Sequence, residues 1–140
     1  MTQNYLNWYE LNLEALVGAG YYQPADIEFI NQDIPVFINK CFRLPDNFEK
    51  RFTKVMIIFP YRQNIFSAKP DRFYVDQNLL LRTGEYPGHI FNGNGFNDLS
   101  HLGWARFSLH LKEWSPTLDV VSGTTIFDIL EAIYDGLSVL

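Results

Sequence analysis

Ser108 and His110 stand two residues apart in the run 104–114, where Ala105, Phe107, Leu109 and Leu111 alternate with Arg106, Ser108, His110 and Lys112. That alternation predicts a short half-buried strand with the polar set on one face. Side chains two apart in a strand are separated by about 6.5 to 7 Å, so the His110 imidazole can approach the Ser108 hydroxyl. An unassisted serine hydroxyl is barely ionised at neutral pH and needs a general base before it attacks a carbonyl, and histidine is suited to that task. Ser-x-His also describes the polar face of an ordinary strand, with His110 in a structural hydrogen bond. No third member can be assigned among Asp98, Glu113 and Asp119.

Other chemistries have less to stand on. His89, His101 and His110 are too far apart for a helical H-x-x-x-H pair, and neither His89 nor His101 has the carboxylate of an H-E-x-x-H string. Their convergence in space would define a metal-dependent or hydrolytic enzyme, but the spacing favours separate surface and loop histidines, so no metal is expected. Gly93-Asn94-Gly95 lacks the third glycine of a dinucleotide fingerprint, and no G-x-x-x-x-G-K-[ST] occurs. No cofactor is expected. Cys41 has Lys40 and Arg43 nearby, charges that favour a thiolate. It also falls among Phe37, Ile38 and Phe42 in an apolar run, which predicts a buried, structural cysteine.

The elements that must position these residues follow from periodicity. Leu6, Tyr9, Leu13, Leu16 and Val17 form one helical stripe over residues 5–17, ended by Gly18 and Gly20. Pro24-Ala25-Asp26 predicts a short second helix through Ile30. Runs rich in Val, Ile and Phe over 36–42, 53–59 and 72–81 predict three strands, and Gly-Asn-rich residues 89–103 predict a long loop near the site. Ile126, Ile129, Leu130, Ile133 and Leu137 follow a 3.6-residue period behind a loose Thr125–Asp128 capping box. The expectation is a single α+β domain over residues 1–140: an N-terminal helix, a small antiparallel β-meander, a long loop and a C-terminal helix.

Composition narrows the function classes. The chain has 140 residues, a formal net charge of −5, 47% hydrophobic residues, 3 Trp, 8 Tyr, 12 Phe and one cysteine, enough apolar material for one core. The 11 Lys and Arg residues are dispersed, which argues against a dedicated nucleic-acid binder. Lys50, Arg51 and Lys54 form the only local basic knot, read as a solvated edge. A lone cysteine, a longest apolar run (Val55 to Phe59) far too short to span a bilayer and no leader-like start at Met1-Thr2-Gln3-Asn4 lead us to expect a cytoplasmic protein without a membrane partner.

One string is more specific. Trp114-Ser115-Pro116, followed by Leu118 and the terminal helix, together with Val55-Met56-Ile57-Ile58-Phe59-Pro60 and Pro70-Asp71-Arg72-Phe73, resembles the core of ubiquitin-conjugating enzymes. Leu44-Pro45, Pro70-Asp71 and Trp104-Ala105-Arg106-Phe107-Ser108-Leu109-His110 before Trp114 resemble the prokaryotic ubiquitin-conjugating-like family E more closely. The resemblance runs from about Val36 to Leu140. It implies a ubiquitin-conjugating-like fold and a role in a bacterial ubiquitin-like protein conjugation pathway. The implied partners are a ubiquitin-like protein and an activating-enzyme homologue.

The departures decide what chemistry the resemblance allows. In conjugating enzymes the acceptor cysteine lies about eight residues before the Trp-Ser-Pro tryptophan, a position that falls on Arg106 here. The family's His-Pro-Asn element is also absent, because His89 is followed by Ile90 and Phe91. Ser108 is the only hydroxyl between Trp104 and Trp114 and the nearest nucleophile to the vacant position. An oxyester of a ubiquitin-like protein on Ser108, with His110 as base and Arg106 and His89 as supporting groups, is one expectation. The other is a non-catalytic adaptor of the same fold, comparable to RWD-type domains.

Overall fold

The computed structural model describes residues 4–20, 22–91, 99–117 and 122–140. Helix α1 (Asn4–Gly18) is followed by a 3₁₀ turn (Pro24–Asp26) and strands β1 (Ile27–Ile30), β2 (Val36–Arg43), β3 (Phe52–Ile58) and β4 (Arg72–Asp76). Strands β5 (Ile90–Phe91) and β6 (Trp104–Phe107) and helix α2 (Ile126–Ser138) complete the chain. Among the described residues, these six strands form one antiparallel sheet in the order β1-β2-β3-β4-β6-β5. Strands β2, β3 and β4 make the expected meander, and β1 adds an unexpected strand at its edge. The last two reverse their order, so β6 lies inside and β5 forms the edge.

Alternation along each strand gives the sheet two unequal faces. Register aligns Phe29, Phe37, Ile57, Phe73, Phe107 and Ile90 in one row across all six strands. These side chains join the main core with Trp8, Tyr9 and Leu16 of α1 and Ile126, Ile129, Leu130, Ile133 and Leu137 of α2. Trp8 is fully buried, edge-on to Tyr9, Phe59 and Trp114 at centroid distances of 5.1, 6.2 and 5.8 Å. The opposite face carries a smaller cluster of Met56, Ile58 and Tyr74, flanked by Val36, Ile38 and Trp104.

Several expectations need correction. Residues 24–30 are a 3₁₀ turn and a strand, not a helix, because Ile27 and Phe29 turn toward the core while Glu28 and Ile30 are exposed. The third expected strand stops at Asp76, where Asp76 Oδ1 accepts from the Asn78 amide at 3.3 Å and turns the chain. Cys41 is exposed rather than buried. A register shift between Asn39 and Phe42 inserts a bulge that leaves Lys40 and Cys41 outside while Phe42 returns to the core. The expected loop 89–103 contains β5 and a 3₁₀ turn (Ser100–Leu102), and its residues 92–98 lie outside the described residues, as does Leu118.

Helix α2 forms where expected, and its start is fixed twice. Thr125 Oγ1 accepts from the Asp128 amide at 3.2 Å while Asp128 Oδ2 accepts from the Thr125 amide at 2.9 Å, a reciprocal capping box. The Ile126 amide donates to Asn12 Oδ1 at 2.7 Å, and Asn12 Nδ2 donates to the Trp8 carbonyl at 2.8 Å. Asn12 is buried, so the two helices are joined by a polar tie inside the apolar layer.

Candidate functional site

Strand β6 ends at Phe107, so Ser108 and His110 both stand just beyond it rather than within it. The chain leaves the sheet there because Leu109 and Leu111 turn toward α2. A Cβ on Gly136 of that helix would meet Phe107 Cζ at 3.0 Å and Leu109 Cδ1 at 3.2 Å, so the helix and these two side chains approach closely at a residue without a side chain. Ser108 and His110 are exposed. His110 lies on the rim of a cleft of about 620 Å³ between residues 109–113 and α2, with Asp128 and Asp135 across from it.

The partner the structure brings to Ser108 is His89. The Ser108 amide donates to the His89 carbonyl at 2.9 Å, continuing the ladder in which Ile90 faces Phe107 and Phe91 faces Arg106. His89 therefore occupies the cross-strand position opposite Ser108, where Cα atoms of such pairs are about 5.5 Å apart. Both residues are exposed, one position beyond the ends of β5 and β6. Among the described residues, no hydrogen bond joins the Ser108 hydroxyl to either imidazole. His101 sits apart from this pair in sequence, in the Ser100–Leu102 turn.

Arg106, on which the sequence spacing put the expected cysteine position, is half-buried in register with Tyr74, and its Nη2 donates to the Asp71 carbonyl at 3.2 Å. Its guanidinium thus braces the start of β4. Next to it, Lys54 Nζ lies 4.2 Å from the Trp104 ring centroid, a cation–π contact. Trp114 of the Trp-Ser-Pro string is an anchor: its Nε1 donates to the Ile65 carbonyl at 2.6 Å and its ring meets Trp8. After it, the Ser115 amide donates to Thr124 Oγ1 at 2.9 Å and the Thr124 amide to the Ser115 carbonyl at 3.0 Å, closing a loop that leads back to α2.

Among the described residues, no three His, Cys, Asp or Glu side chains gather as they would around a metal ion, and no helix is long and apolar enough to cross a membrane. Asn12 is the structural residue that sequence reasoning missed, although an asparagine between Tyr9 and Leu16 on an otherwise apolar stripe was a usable signal. A family model described as Prokaryotic E2 family E matches residues 23–135, which takes in every strand and all but the last turn of α2. No curated protein and no solved structure shows a significant match.

Proposed function

Because the chain belongs to prokaryotic E2 family E, and so to the general class of ubiquitin-like conjugation components, we propose that it receives a ubiquitin-like protein from an activating-enzyme homologue as an oxyester on Ser108. The observation that carries this reading is the main-chain bond that sets His89 opposite an exposed Ser108. An imidazole takes the Ser108 proton as Oγ attacks the activated carboxyl carbon. The new C–O bond forms, the bond to the leaving group breaks, and the imidazole passes the proton to that group. Two histidines are candidates for this base, and the main-chain bond to Ser108 favours His89. His89 lies across the strand pair, and His110, the base suggested by the alternation, lies two residues along. Arg106 supports the strand from Asp71 and adds positive charge near the reacting carbonyl.

Mixing the protein with its activating enzyme, ATP and ubiquitin-like protein should give an adduct that resists thiol reductant, is cleaved by mild base, and is lost in Ser108→Ala. An undiminished adduct in that variant overturns the assignment. The second reading, a non-catalytic adaptor of a ubiquitin-conjugating-like fold acting in the cytoplasm, is favoured by the occupation of the cysteine position by a braced arginine. It requires partner binding to survive simultaneous alanine replacement of Ser108, His89 and His110, with no covalent product from the unaltered protein.

A further inference from the structure

Four cationic side chains meet at the far end of the β2–β3 hairpin. Arg43 closes β2, Lys50 and Arg51 precede β3, and Arg82 comes from the segment after β4. They line a cleft of about 140 Å³ over buried Leu44, Pro45 and Phe48, and none of these residues belongs to the Ser108 surroundings. The local basic knot seen in the sequence is thus regrouped. Lys54 leaves it for the Trp104 ring, and Arg43 and Arg82 join from other segments.

The arrangement is built rather than loose. The two loops are zipped by main-chain bonds, Glu49 amide to Leu80 carbonyl at 3.0 Å and Arg82 amide to Asn47 carbonyl at 2.9 Å, around a bridge between Phe48 and Leu81. Arg82 Nε donates to the Asp46 carbonyl, and the Arg43 guanidinium lies 5.6 Å from the Phe52 ring centroid. Asn47 Nδ2 fastens the loop to the end of α2 through the carbonyls of Leu137 and Leu140 at 3.0 and 3.2 Å. Among the described residues, none of the four cations pairs with a carboxylate.

Like charges held together cost free energy unless an anion offsets them, and this chain has a net charge of −5 with 11 cations to distribute. Asp46 supplies the cleft's one carboxylate against four positive groups. That excess matches a multiply charged anion better than a single carboxylate, and guanidinium forks are suited to tetrahedral oxyanions. The volume is well below the roughly 300 Å³ at which pockets for larger ligands begin, so the cleft fits an ion-sized group. We propose that this cleft binds a phosphate-class oxyanion, either free or carried on a partner protein.

The test is a titration of the isotope-labelled full chain with inorganic phosphate, followed by amide shifts and compared with chloride at matched ionic strength. Saturable shifts confined to residues 43–51 and 80–85, weakened about tenfold or more in Lys50→Gln/Arg51→Gln, support the site. Arg82→Gln serves as a second variant, and a dispersed spectrum shows that each has folded. Shifts that never saturate, that chloride reproduces, or that persist unchanged in both folded variants overturn the proposal. A phosphoserine peptide binding more tightly than phosphate supports the site and assigns a protein-borne group. Equal affinity supports it and assigns the free ion.

Discussion

Asn12→Leu should destabilise the protein although it adds apolar bulk to a core position. The asparagine side chain is 2% exposed and makes two bonds, accepting from the Ile126 amide at 2.7 Å and donating to the Trp8 carbonyl at 2.8 Å. Trp8 loses little, since its carbonyl also has a partner within α1. The Ile126 amide has no intrahelical acceptor at the first position of α2, so a buried donor is left unpaired at a cost of about 1–3 kcal/mol. Loss of the second bond adds roughly 0.5–1.5 kcal/mol, and leucine packing returns about 1 kcal/mol, for a net loss near 2 kcal/mol. For a chain of this size that is a fall in Tm of about 5–10 °C. Urea unfolding monitored by tryptophan fluorescence should show a lower midpoint at unchanged slope. A change within about 0.5 kcal/mol would refute the claim that this tie holds the helices together.

The remaining predictions use the same two assays and the adduct reaction. Tyr9→Phe should leave stability at neutral pH unchanged or raise it by up to about 1 kcal/mol, because Tyr9 Oη is buried without a partner among the described residues. Burial raises the Tyr9 phenol well above its ordinary value of 10.0, so the unfolded chain ionises first. Stability should hold below pH 10 and fall above it, and Tyr9→Phe should flatten that alkaline limb of a urea-midpoint profile. Gly123→Ala would place a Cβ 2.6 Å from the Thr117 amide nitrogen and 2.7 Å from the Ser115 carbonyl oxygen, both main-chain atoms, and should cost about 1–3 kcal/mol by urea melt. In the adduct reaction, His89→Gln should slow formation by about 10²-fold or more, with a smaller effect for His110→Gln. The reverse order would return the base to His110.

Local signals were legible where one segment carried the whole pattern. The five apolar positions of α2 are all buried, and Thr125 and Asp128 form the expected box, because periodicity and capping lie within a few residues of one another. Strands β2 and β3 were legible for the same reason. Strand β1 was not, since Pro24 and Asp26 carry helix-start chemistry and only four residues follow to show alternation. Cys41 was misplaced because a bulge breaks the period of two without changing composition. The reversed order of β5 and β6, and the meeting of Arg43, Lys50, Arg51 and Arg82, depend on segments far apart in the chain. Nothing local encodes them.

The reversed strand order also bears on the proposed Ser108 acceptor. One residue, Phe107, separates Arg106 from Ser108, so the proposed acceptor stands about 6.5 to 7 Å further along the chain, just past the end of β6. This displacement brings the hydroxyl from the Tyr74 register to the end of the strand, where β5 continues as His89. In sequence, His89 is the start of a failed His-Pro-Asn element. In the sheet it is the residue opposite Ser108. The pairing of β5 with β6 is what brings that histidine to the serine. The edge position of a two-residue strand is therefore the feature on which the proposed acceptor depends, and Ile90, which seats β5 against Phe107 in the core row, is the residue that holds it there.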